Sequence, residues 1–338
     1  MNILITGASG YLGSNLVKKL VEINTIREDK FNVIAADIRE IGIQDPNVQF
    51  VNLDVRSPDV SEVVKEHNID TVVHLASIVT PGKKSNREFE YSVDVLGTEN
   101  VLQACVANQV KRIIVTSSGA AYGYHADNAE WIKEDDPIRG NEEFAYSHHK
   151  RLVEELLASY RTEYPELEQV IFRIGTILGD NTNNQITALF EKKMVLGISG
   201  SKSPFVFIWD QDVVGCLLQA IMGTKCGIYN VAGDGALSID EIAKILNKKV
   251  LRIPTLLVGA ALFVLKRLSL TQYGEEQVNF LRYRPVLDNH KLKTEFGYIP
   301  KLTSEEVFHY FLEKRREANT NATPIQIKGK LKSYEKGQ

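Results

Sequence analysis

The sequence predicts an α/β fold, a Rossmann-type doubly wound parallel sheet with a smaller C-terminal substrate-binding domain. Short apolar, β-branched runs alternate with helical patterns through the first half of the chain, which is typical of a parallel sheet covered by helices on both faces. The runs are near-continuously apolar, as strands buried on both faces require. A cluster of glycines follows the first run directly.

Six strands are predicted in chain order. They read "NILIT", "FNVIAADIR", "VQFVNLDV", "IDTVVHLAS", "VKRIIVTSS" and "LEQVIFRIG". Helical patterns separate most of them: "GYLGSNLVKKLVE", "VSEVVKEHN", "YSVDVLGTENVLQACVAN" and the segment that begins at Tyr146. The first helix carries apolar residues at helical spacing, from Leu12 to Val21.

Composition places the chain among ordinary globular enzymes. A net charge of -3 over 338 residues gives no indication of a nucleic-acid partner. The three cysteines lie far apart without metal-ligand spacing, so we expect no metal site and reduced thiols in a cytoplasmic protein. "MNILITGASG" breaks into glycines at once, so no secretory signal is expected.

Two segments near the C-terminus leave alternatives open. "LLVGAALFVL" at 256–265 is about half the roughly 20 residues that span a bilayer. We expect a core helix or dimer contact there, the alternative being a lid that touches a lipid surface. The polar, Lys/Arg-rich segment 313–338 is expected to be a loose tail, with a basic anchor for another surface as the alternative.

The glycines in "TGASGYLG" predict a dinucleotide site. Gly7 suits a tight turn, Gly10 lets the backbone approach a pyrophosphate, and Gly13 allows close packing of helix on strand. The helix N-terminus that follows offers unpaired N–H groups to phosphates. The triplet follows a strand and precedes a helix, and this context makes the motif specific.

Two aspartates are candidates for the adenosine half of the cofactor. Asp37 ends the second strand, where a carboxylate accepts from ribose hydroxyls and repels a 2′-phosphate, so NAD is favoured over NADP. Arg39 keeps NADP open, because an arginine can accommodate that phosphate. Asp54 could accept from the adenine amino group, or it could cap the next helix.

Ser118, Tyr146 and Lys150 are the candidate catalytic residues. Residues four apart share a helix face, so the phenol of Tyr146 and the ammonium of Lys150 meet over one cleft. The cation stabilises the phenolate, which can then take a hydroxyl proton. Ser118 ends the fifth strand and could bond the same oxygen. The intervening histidines are expected to be solvated or to pack against other helices.

These residues resemble the extended short-chain dehydrogenases/reductases, in the NAD-dependent epimerase/dehydratase branch. The resemblance covers roughly 1–312 and rests on "TGASGYLG", "DVLGTENVLQAC", "SSGAAYG", "YSHHK", "FRIGTILG", "IWDQDVVGCLLQAI", "YNVAGDGALSIDEIAKIL" and "DNHKLKTEFGYIP" in that order. It implies a catalytic triad of Ser118, Tyr146 and Lys150. It also implies cofactor contacts from Gly7, Gly10, Tyr11, Leu12, Gly13, Asp37, Asp54, Leu75, Ala76, Tyr146 and Lys150.

The resemblance also implies a domain organisation. The Rossmann domain would comprise 1–175 plus 208–234, and the substrate-binding domain 176–207 plus 235–312. The helices near 92–108 and 146–163 would build a homodimeric four-helix bundle. Val153, Leu156 and Leu157 would help to form its seam.

Some positions depart from relatives. Asp94 stands where many relatives carry asparagine, and an ionised carboxylate accepts but cannot donate. Gly119 and Ala120 replace the acid pair that follows the catalytic hydroxyl in sugar-nucleotide dehydratases, so we do not expect that elimination chemistry. The residues that usually bind the nucleotide are not evident. Arg173 and Arg284 could bind a diphosphate, or each could form a structural ion pair.

Three hypotheses of function remain. The first is a nucleotide-sugar epimerase that uses transient hydride transfer, with Tyr146 as acid and base. The second is an NAD(P)-dependent dehydrogenase or reductase of a less polar alcohol or ketone, favoured by the apolar stretch from Leu256 to Leu265. The third is a nucleotide-binding scaffold or redox sensor, against which the intact Ser, Tyr and Lys set speaks.

Overall fold

The structure is a computed structural model that describes residues 1–79, 86–180, 182, 185–268 and 277–334. Its strands are β1 (Asn2–Thr6), β2 (Asn32–Asp37), β3 (Val48–Asn52), β4 (Thr71–His74), β5 (Arg112–Ser118), β6 (Glu168–Ile174), β7 (Thr176–Leu178), β8 (Val195–Ile198), β9 (Phe207–Trp209), β10 (Gly227–Val231) and β11 (Val250–Ile253). Its α-helices are α1 (Tyr11–Asn24), α2 (Asp59–Glu66), α3 (Arg87–Tyr91), α4 (Gly97–Ala107), α5 (Ala145–Glu163), α6 (Gln185–Glu191), α7 (Asp210–Met222), α8 (Ile239–Ile245), α9 (Thr255–Arg267), α10 (Gln277–Arg282) and α11 (Ser304–Tyr334).

Seven strands form one central parallel sheet. Their order is β3-β2-β1-β4-β5-β6-β10, and each neighbouring pair runs parallel. The strand order reverses direction between β1 and β4, and ligands of such sheets bind outside the carboxyl ends of the strands at that point. The predicted Rossmann-type parallel sheet is confirmed.

Each strand of the sheet supplies two apolar layers because successive side chains point to opposite faces. In β1, Ile3 and Ile5 pack in the layer that contains apolar residues of α1 and α7. Leu4 lies in the opposite layer, with apolar residues of α2, α4 and α5. The sheet is therefore covered on both faces, which explains its continuous apolar strands.

A further apolar core lies outside the large sheet. It is rich in aromatic rings, among them Phe190, Phe205, Phe207 and Phe308, whose neighbouring centroids lie 5.2–6.3 Å apart. The two-stranded pairs β7–β9 and β8–β11 contribute to it. The expected domain boundaries, 1–175 plus 208–234 and 176–207 plus 235–312, stay a prediction.

A core helix or a dimer contact is expected at 256–265; the core position is wrong, and the dimer contact stays a prediction. Within α9 only Val258 is buried, while Leu256 is 86% and Leu257 61% exposed. The helix rests on the small β8–β11 sheet, which covers only one side of it. Among the described residues no helix is both long and apolar enough to cross a membrane.

Two expectations concern helices near the C-terminus and at the predicted dimer seam. Helix α11 continues to Tyr334, so most of the segment expected to be a loose tail is helical. Its many Lys, Glu and Arg residues favour a helix. Of the expected dimer-seam residues, Val153 and Leu157 are already buried within this chain's own core, and Leu156 is partly buried. The homodimer itself stays a prediction.

Candidate active site

The glycine loop lies at the carboxyl end of β1, where the strand order reverses. Gly7 has a φ of +70°, and a Cβ there would come within 2.7 Å of the Ala76 nitrogen and 2.8 Å of the Leu75 carbonyl carbon. Only glycine fits both this backbone conformation and this close approach. The loop after β1 is thereby packed against the loop after β4, and both carry predicted cofactor residues.

Helix α1 begins in a form suited to phosphate. Its N-cap is Gly10, which offers no side-chain hydrogen bond to the first turn, and its peptide N–H instead donates to the Gly7 carbonyl at 3.0 Å. Within the first turn, a Cβ on Gly13 would collide with the backbone of Gly7 and Ala8. The helix therefore packs tightly on the loop, and its N–H groups are available for an anion.

Asp37 lies beside the glycine loop at the end of β2. Its Oδ2 accepts from the Ser9 N–H and its Oδ1 from the Arg39 N–H, each at 3.0 Å. Because each oxygen retains a lone pair, the carboxylate can still accept ribose hydroxyls. The Arg39 Nε lies 3.9 Å from Asp37 on a largely exposed side chain, so Arg39 points no strong donor at this position.

Asp54 is engaged by a neighbour. It accepts from Arg56 Nε at 3.0 Å and from Arg56 Nη2 at 2.5 Å, and these bonds lower the pKa of the carboxyl below its usual value. Helix α2 begins at Asp59 with Pro58 as its N-cap, so Asp54 is not the cap of that helix. Contact between Asp54 and adenine stays a prediction.

Tyr11 connects the cofactor loop to the first residue of α7 and to Thr182. Its hydroxyl donates to Asp210 at 2.6 Å and accepts from Thr182 at 3.1 Å. Leu12, which follows it, packs against the apolar core beneath α1. The sequence offered no signal for this bridge because Asp210 is 199 residues away from Tyr11.

The predicted catalytic residues lie on two elements that are hydrogen-bonded together. Ser118 ends β5 and opens the turn Gly119–Tyr122, with its Oγ accepting from the Ala120 N–H at 3.2 Å. Ser147, directly after Tyr146, donates to the Ala120 carbonyl at 2.6 Å. This bond fastens the first turn of α5 to the turn that carries Ser118.

Lys150 is held between the strand and the tyrosine. Its Nζ donates to the Thr116 carbonyl at 3.2 Å and lies 5.7 Å from the centre of the Tyr146 ring. Lys150 is buried, whereas Tyr146 stays partly exposed. The arrangement keeps a positive charge next to a phenol that a substrate can reach, as a tyrosine acid/base requires.

Asp94 has an accepting role in this structure. Its Oδ1 accepts from the Ile78 N–H at 2.8 Å, and its Oδ2 lies 3.5 Å from His149 Nδ1. Asp94 and His149 are both buried, so His149 is a packing residue of α5 rather than a solvated one. The bond from Ile78 needs only an acceptor, which a carboxylate supplies, and it ties Asp94 to the loop that follows Leu75 and Ala76.

A neutral histidine lies beneath the same loop. His74 shares hydrogen bonds with the hydroxyls of Thr6 at 2.7 Å and Thr98 at 3.0 Å. Burial, and after it the positive charge of Lys150, together lower the pKa of His74 to about 4. An uncharged imidazole is thus built into the support of the site.

Arg173 is bonded at all three of its guanidinium nitrogens. Its Nε and Nη2 donate to Glu154 at 2.9 and 2.7 Å, and Nη1 donates to Tyr122 Oη at 2.8 Å. Burial alone would lower its pKa, but the hydrogen bonds and charge of Glu154 outweigh burial and raise it. Of the two alternatives for Arg173, a diphosphate ligand or a structural ion pair, the structure shows the ion pair, with Glu154.

Arg284 has a different environment. Its guanidinium carbon lies 4.1 Å from the centre of the Phe205 ring and 4.4 Å from that of Phe280. Its Nε and Nη2 are shielded from solvent and find no hydrogen-bond partner in the described part of the chain. Burial lowers the pKa of Arg284 to about 10, which leaves the group cationic at neutral pH. It is a shielded cation without a counter-ion among those residues.

Aromatic rings link Arg284 to Tyr146. Ring centroids lie 5.4 Å apart between Phe280 and Phe144, and 6.4 Å apart between Phe144 and Tyr146. Tyr124 packs on both phenylalanines, at 5.0 and 5.7 Å. Arg284 and the phenol of Tyr146 thus border one continuous aromatic wall.

Comparison with known proteins identifies the family. The model of the NAD-dependent epimerase/dehydratase family matches residues 3–232. This chain belongs to that family. It is therefore an enzyme of the NAD-dependent epimerase/dehydratase class, and the predicted recognition is confirmed.

Relatives cover most of the chain at low identity. A putative UDP-glucose 4-epimerase of Methanocaldococcus jannaschii is 27% identical over 73% of this chain and 82% of its own length. An uncharacterised protein of Mycobacterium tuberculosis is 25% identical over 98% of this chain and 88% of its own.

Solved structures share the fold. The UDP-glucose 4-epimerase of Thermotoga maritima, solved with UDP-glucose, superposes with a TM-score of 0.73 at 20% identity, covering 94% of this chain and 99% of that one. A dTDP-glucose 4,6-dehydratase of Bacillus anthracis, solved with NAD, gives 0.70 at 18% identity over 94% and 97%.

Proposed function

We propose that this enzyme is a nucleotide-sugar epimerase that uses NAD, with Tyr146 as its acid/base. The observation that carries the proposal is Arg284, a shielded cation without an ion-pair partner among the described residues, on the same aromatic wall as Tyr146. A diphosphate is a suitable ligand for such a guanidinium, because charged hydrogen bonds would satisfy its N–H groups.

The cofactor site fits a dinucleotide on several grounds. A cradle at Gly7 excludes any Cβ, the first turn of α1 lacks a side-chain cap, and Asp37 keeps acceptor capacity. We propose NAD rather than NADP because a 2′-phosphate would meet the charge of Asp37. The neighbouring B. anthracis dehydratase is solved with NAD, which supports the same choice.

The residues of this chain divide the acid/base work. The nicotinamide ring, when bound, accepts a hydride from a sugar carbon and returns it. Tyr146 takes the proton of the reacting hydroxyl, while the Ser118 hydroxyl donates to the same oxygen. Lys150, fixed to the Thr116 carbonyl, stabilises the phenolate and then helps the phenol to be restored.

Dehydration fits these residues less well than epimerisation. After Ser118 come Gly119 and Ala120, and the Ala120 N–H is already bonded to the Ser118 oxygen. Neither residue can donate or remove a proton from a neighbouring sugar carbon. Two relatives support a sugar substrate: the T. maritima structure holds UDP-glucose, and the M. jannaschii relative is named a putative UDP-glucose 4-epimerase.

One observation favours a second candidate, a net reductase of a less polar alcohol or ketone. The cavity wall next to Arg284 is largely apolar, with Leu189, Val195 and Leu281 among its residues. The cavity itself measures only about 10 Å³, so these side chains must move apart before an aliphatic group enters beside the aromatic wall. Net consumption of cofactor distinguishes this candidate from the epimerase.

The test is a product assay by NMR. UDP-, dTDP- and GDP-sugars are incubated one at a time with the protein and a trace of NAD, while the anomeric signals of the sugars are followed. Conversion of one sugar to its stereoisomer without net NADH is the expected result. Net NADH formation would support the second candidate, and no conversion by protein that binds NAD would refute the epimerase.

A further inference from the structure

Helix α9 presents an apolar surface that the described part of the chain leaves uncovered. Leu256 is 86% exposed, Phe263 56% and Leu268 61%. We call this surface the apolar α9 face. It comprises Leu256, Leu257, Ala260, Ala261, Phe263, Val264, Leu265 and Leu268. These residues recur at spacings of three and four, so they form one continuous stripe along the helix.

The stripe continues onto the neighbouring strands. Leu196 of β8 and Leu251 of β11 are paired in register and both exposed. Two residues further along, Ile198 and Ile253 lie on the same sheet face and pack beneath α9 through Val258. The exposed leucines and α9 therefore belong to one side of the protein, and a contiguous apolar patch of this kind marks an interaction site.

This region carries an excess of positive charge. Residues 240–276 contain six cations, Lys244, Lys248, Lys249, Arg252, Lys266 and Arg267, and four acids, Asp240, Glu241, Glu275 and Glu276, in a chain whose net charge is -3. Residues 191–209, which include β8, add three cations and one acid, Glu191. The cations other than the partly buried Lys248 are exposed. Arg252 pairs with Asp240, and Lys248 bonds the Phe190 carbonyl.

The apolar stripe and the excess of cations together favour a lipid surface over a second copy of the chain as the partner of α9. A second copy on a two-fold axis would also bury the apolar stripe, but it would bring the excess cations of both copies together. An anionic lipid surface matches both properties, because acyl chains receive the leucines and lipid headgroups attract the cations. Arg267, at the end of the stripe, can extend toward headgroups while its stem stays against apolar surface.

We propose that the apolar α9 face docks the enzyme on the surface of an anionic membrane. The helix has 13 residues and lies along the surface without crossing it. The inference is independent of the substrate, since no residue of this face belongs to the catalytic or cofactor machinery.

The first test is vesicle flotation of the full chain. Vesicles of phosphatidylcholine alone are compared with vesicles of equal parts phosphatidylcholine and phosphatidylglycerol, at low and high salt. We expect binding to the anionic vesicles, much weaker binding to the neutral ones, and loss of binding as salt rises. Equal binding to both vesicle types, or to neither, would overturn the proposal.

Substitutions test whether the apolar α9 face is the surface that contacts the vesicles. The combined substitution Leu256→Gln, Leu257→Gln and Phe263→Gln should reduce vesicle binding more than tenfold, since each apolar side chain contributes on the order of tenfold. Ile26→Gln is the matched control, because Ile26 is also 86% exposed but follows α1 in the Rossmann half. Lys249→Gln with Arg267→Gln should cost roughly fivefold per charge, against Lys18→Gln on α1 as control.

Two further readouts keep the alternatives apart. Turnover in the absence of vesicles should be unchanged in all these variants, which shows that they are folded. Sedimentation velocity should show the same oligomeric state for wild type and the triple variant. A triple variant that binds vesicles normally, or one that converts a dimer to a monomer, would refute the lipid assignment.

Discussion

Arg173 and Arg284 lie in opposite surroundings. Arg173 donates from all three nitrogens to Glu154, Tyr122 and a carbonyl, within the sheet and helices of the Rossmann fold. Arg284 has aromatic rings on its faces, while two of its nitrogens lack partners among the described residues.

This difference indicates a structural role for Arg173 and a ligand-binding role for Arg284. An ion pair with complete hydrogen bonding holds strand β6 to helix α5, and so fixes the helix that carries Tyr146 and Lys150. A cation without a counter-ion costs stability, because its desolvation is not repaid inside the protein. We interpret Arg284 as a group retained for a ligand, and each prediction below tests one side of that contrast.

The largest effect is expected at Tyr146, which lies on α5 with Glu154 and borders the aromatic wall of Arg284. Tyr146→Phe keeps the ring against Phe144 but removes the proton carrier, so kcat should fall by about 10²–10⁴. NAD affinity, measured by calorimetry, should change little. Tyr160→Phe on the same helix is the matched control and should retain turnover. Substantial activity in Tyr146→Phe would mean that another group carries the proton.

The next effect concerns folding. Arg173→Met leaves Glu154 buried without its counter-ion, so the free energy of unfolding should fall by about 3–5 kcal/mol in urea titrations. Arg173→Met combined with Glu154→Leu should recover most of that loss. If Arg173→Met alone leaves the free energy of unfolding unchanged, the ion pair does not hold β6 to α5.

Arg284→Met should reverse this pattern. Stability should change by less than ~1 kcal/mol, since no described partner is left uncompensated. The KM for a nucleotide-diphosphate sugar should rise by roughly 10- to 100-fold, as the loss of charged hydrogen bonds of about 1.5–3 kcal/mol implies. Arg27→Met is the control, because Arg27 also lies over a phenylalanine ring, Phe31, but at the opposite end of the sheet. An unchanged KM together with lowered stability would make Arg284 structural.

The sequence predicted the parts of the site that are local in the chain. The glycine loop, Asp37 at a strand end and the Tyr146–Lys150 spacing each depend on a strand or helix period and on nearby residues. Even Glu154 continues the same helical face, eight residues after Tyr146. Its ion pair with Arg173, however, could not be chosen over a diphosphate role until β6 was placed against α5.

The remaining features depend on contacts between distant segments. Arg284 meets Phe205, which is 79 residues earlier in the chain, and Tyr11 meets Asp210. No spacing rule reports such pairs. A core helix or a dimer contact was expected at α9 because its residues are apolar, but apolarity indicates only that something should cover a helix. The structure shows that the small β8–β11 sheet covers one side alone.

The smallest effect is expected at Asp37, a charged group that is already hydrogen-bonded within the protein, as Arg173 is. Its carboxylate already accepts two peptide N–H groups, so Asp37→Ala loses both these bonds and the ribose contact. Preference for NAD over NADP should fall by about tenfold, an order of magnitude that one charged hydrogen bond or repulsion supplies. Asp37→Asn separates the two causes, since it keeps an acceptor and removes the charge: selectivity should fall nearly as far, while binding of NAD stays closer to wild type. Binding of both dinucleotides is measured by fluorescence titration. If both variants retain the wild-type preference, Asp37 serves only to order Ser9 and the glycine loop, and discrimination lies elsewhere in the site.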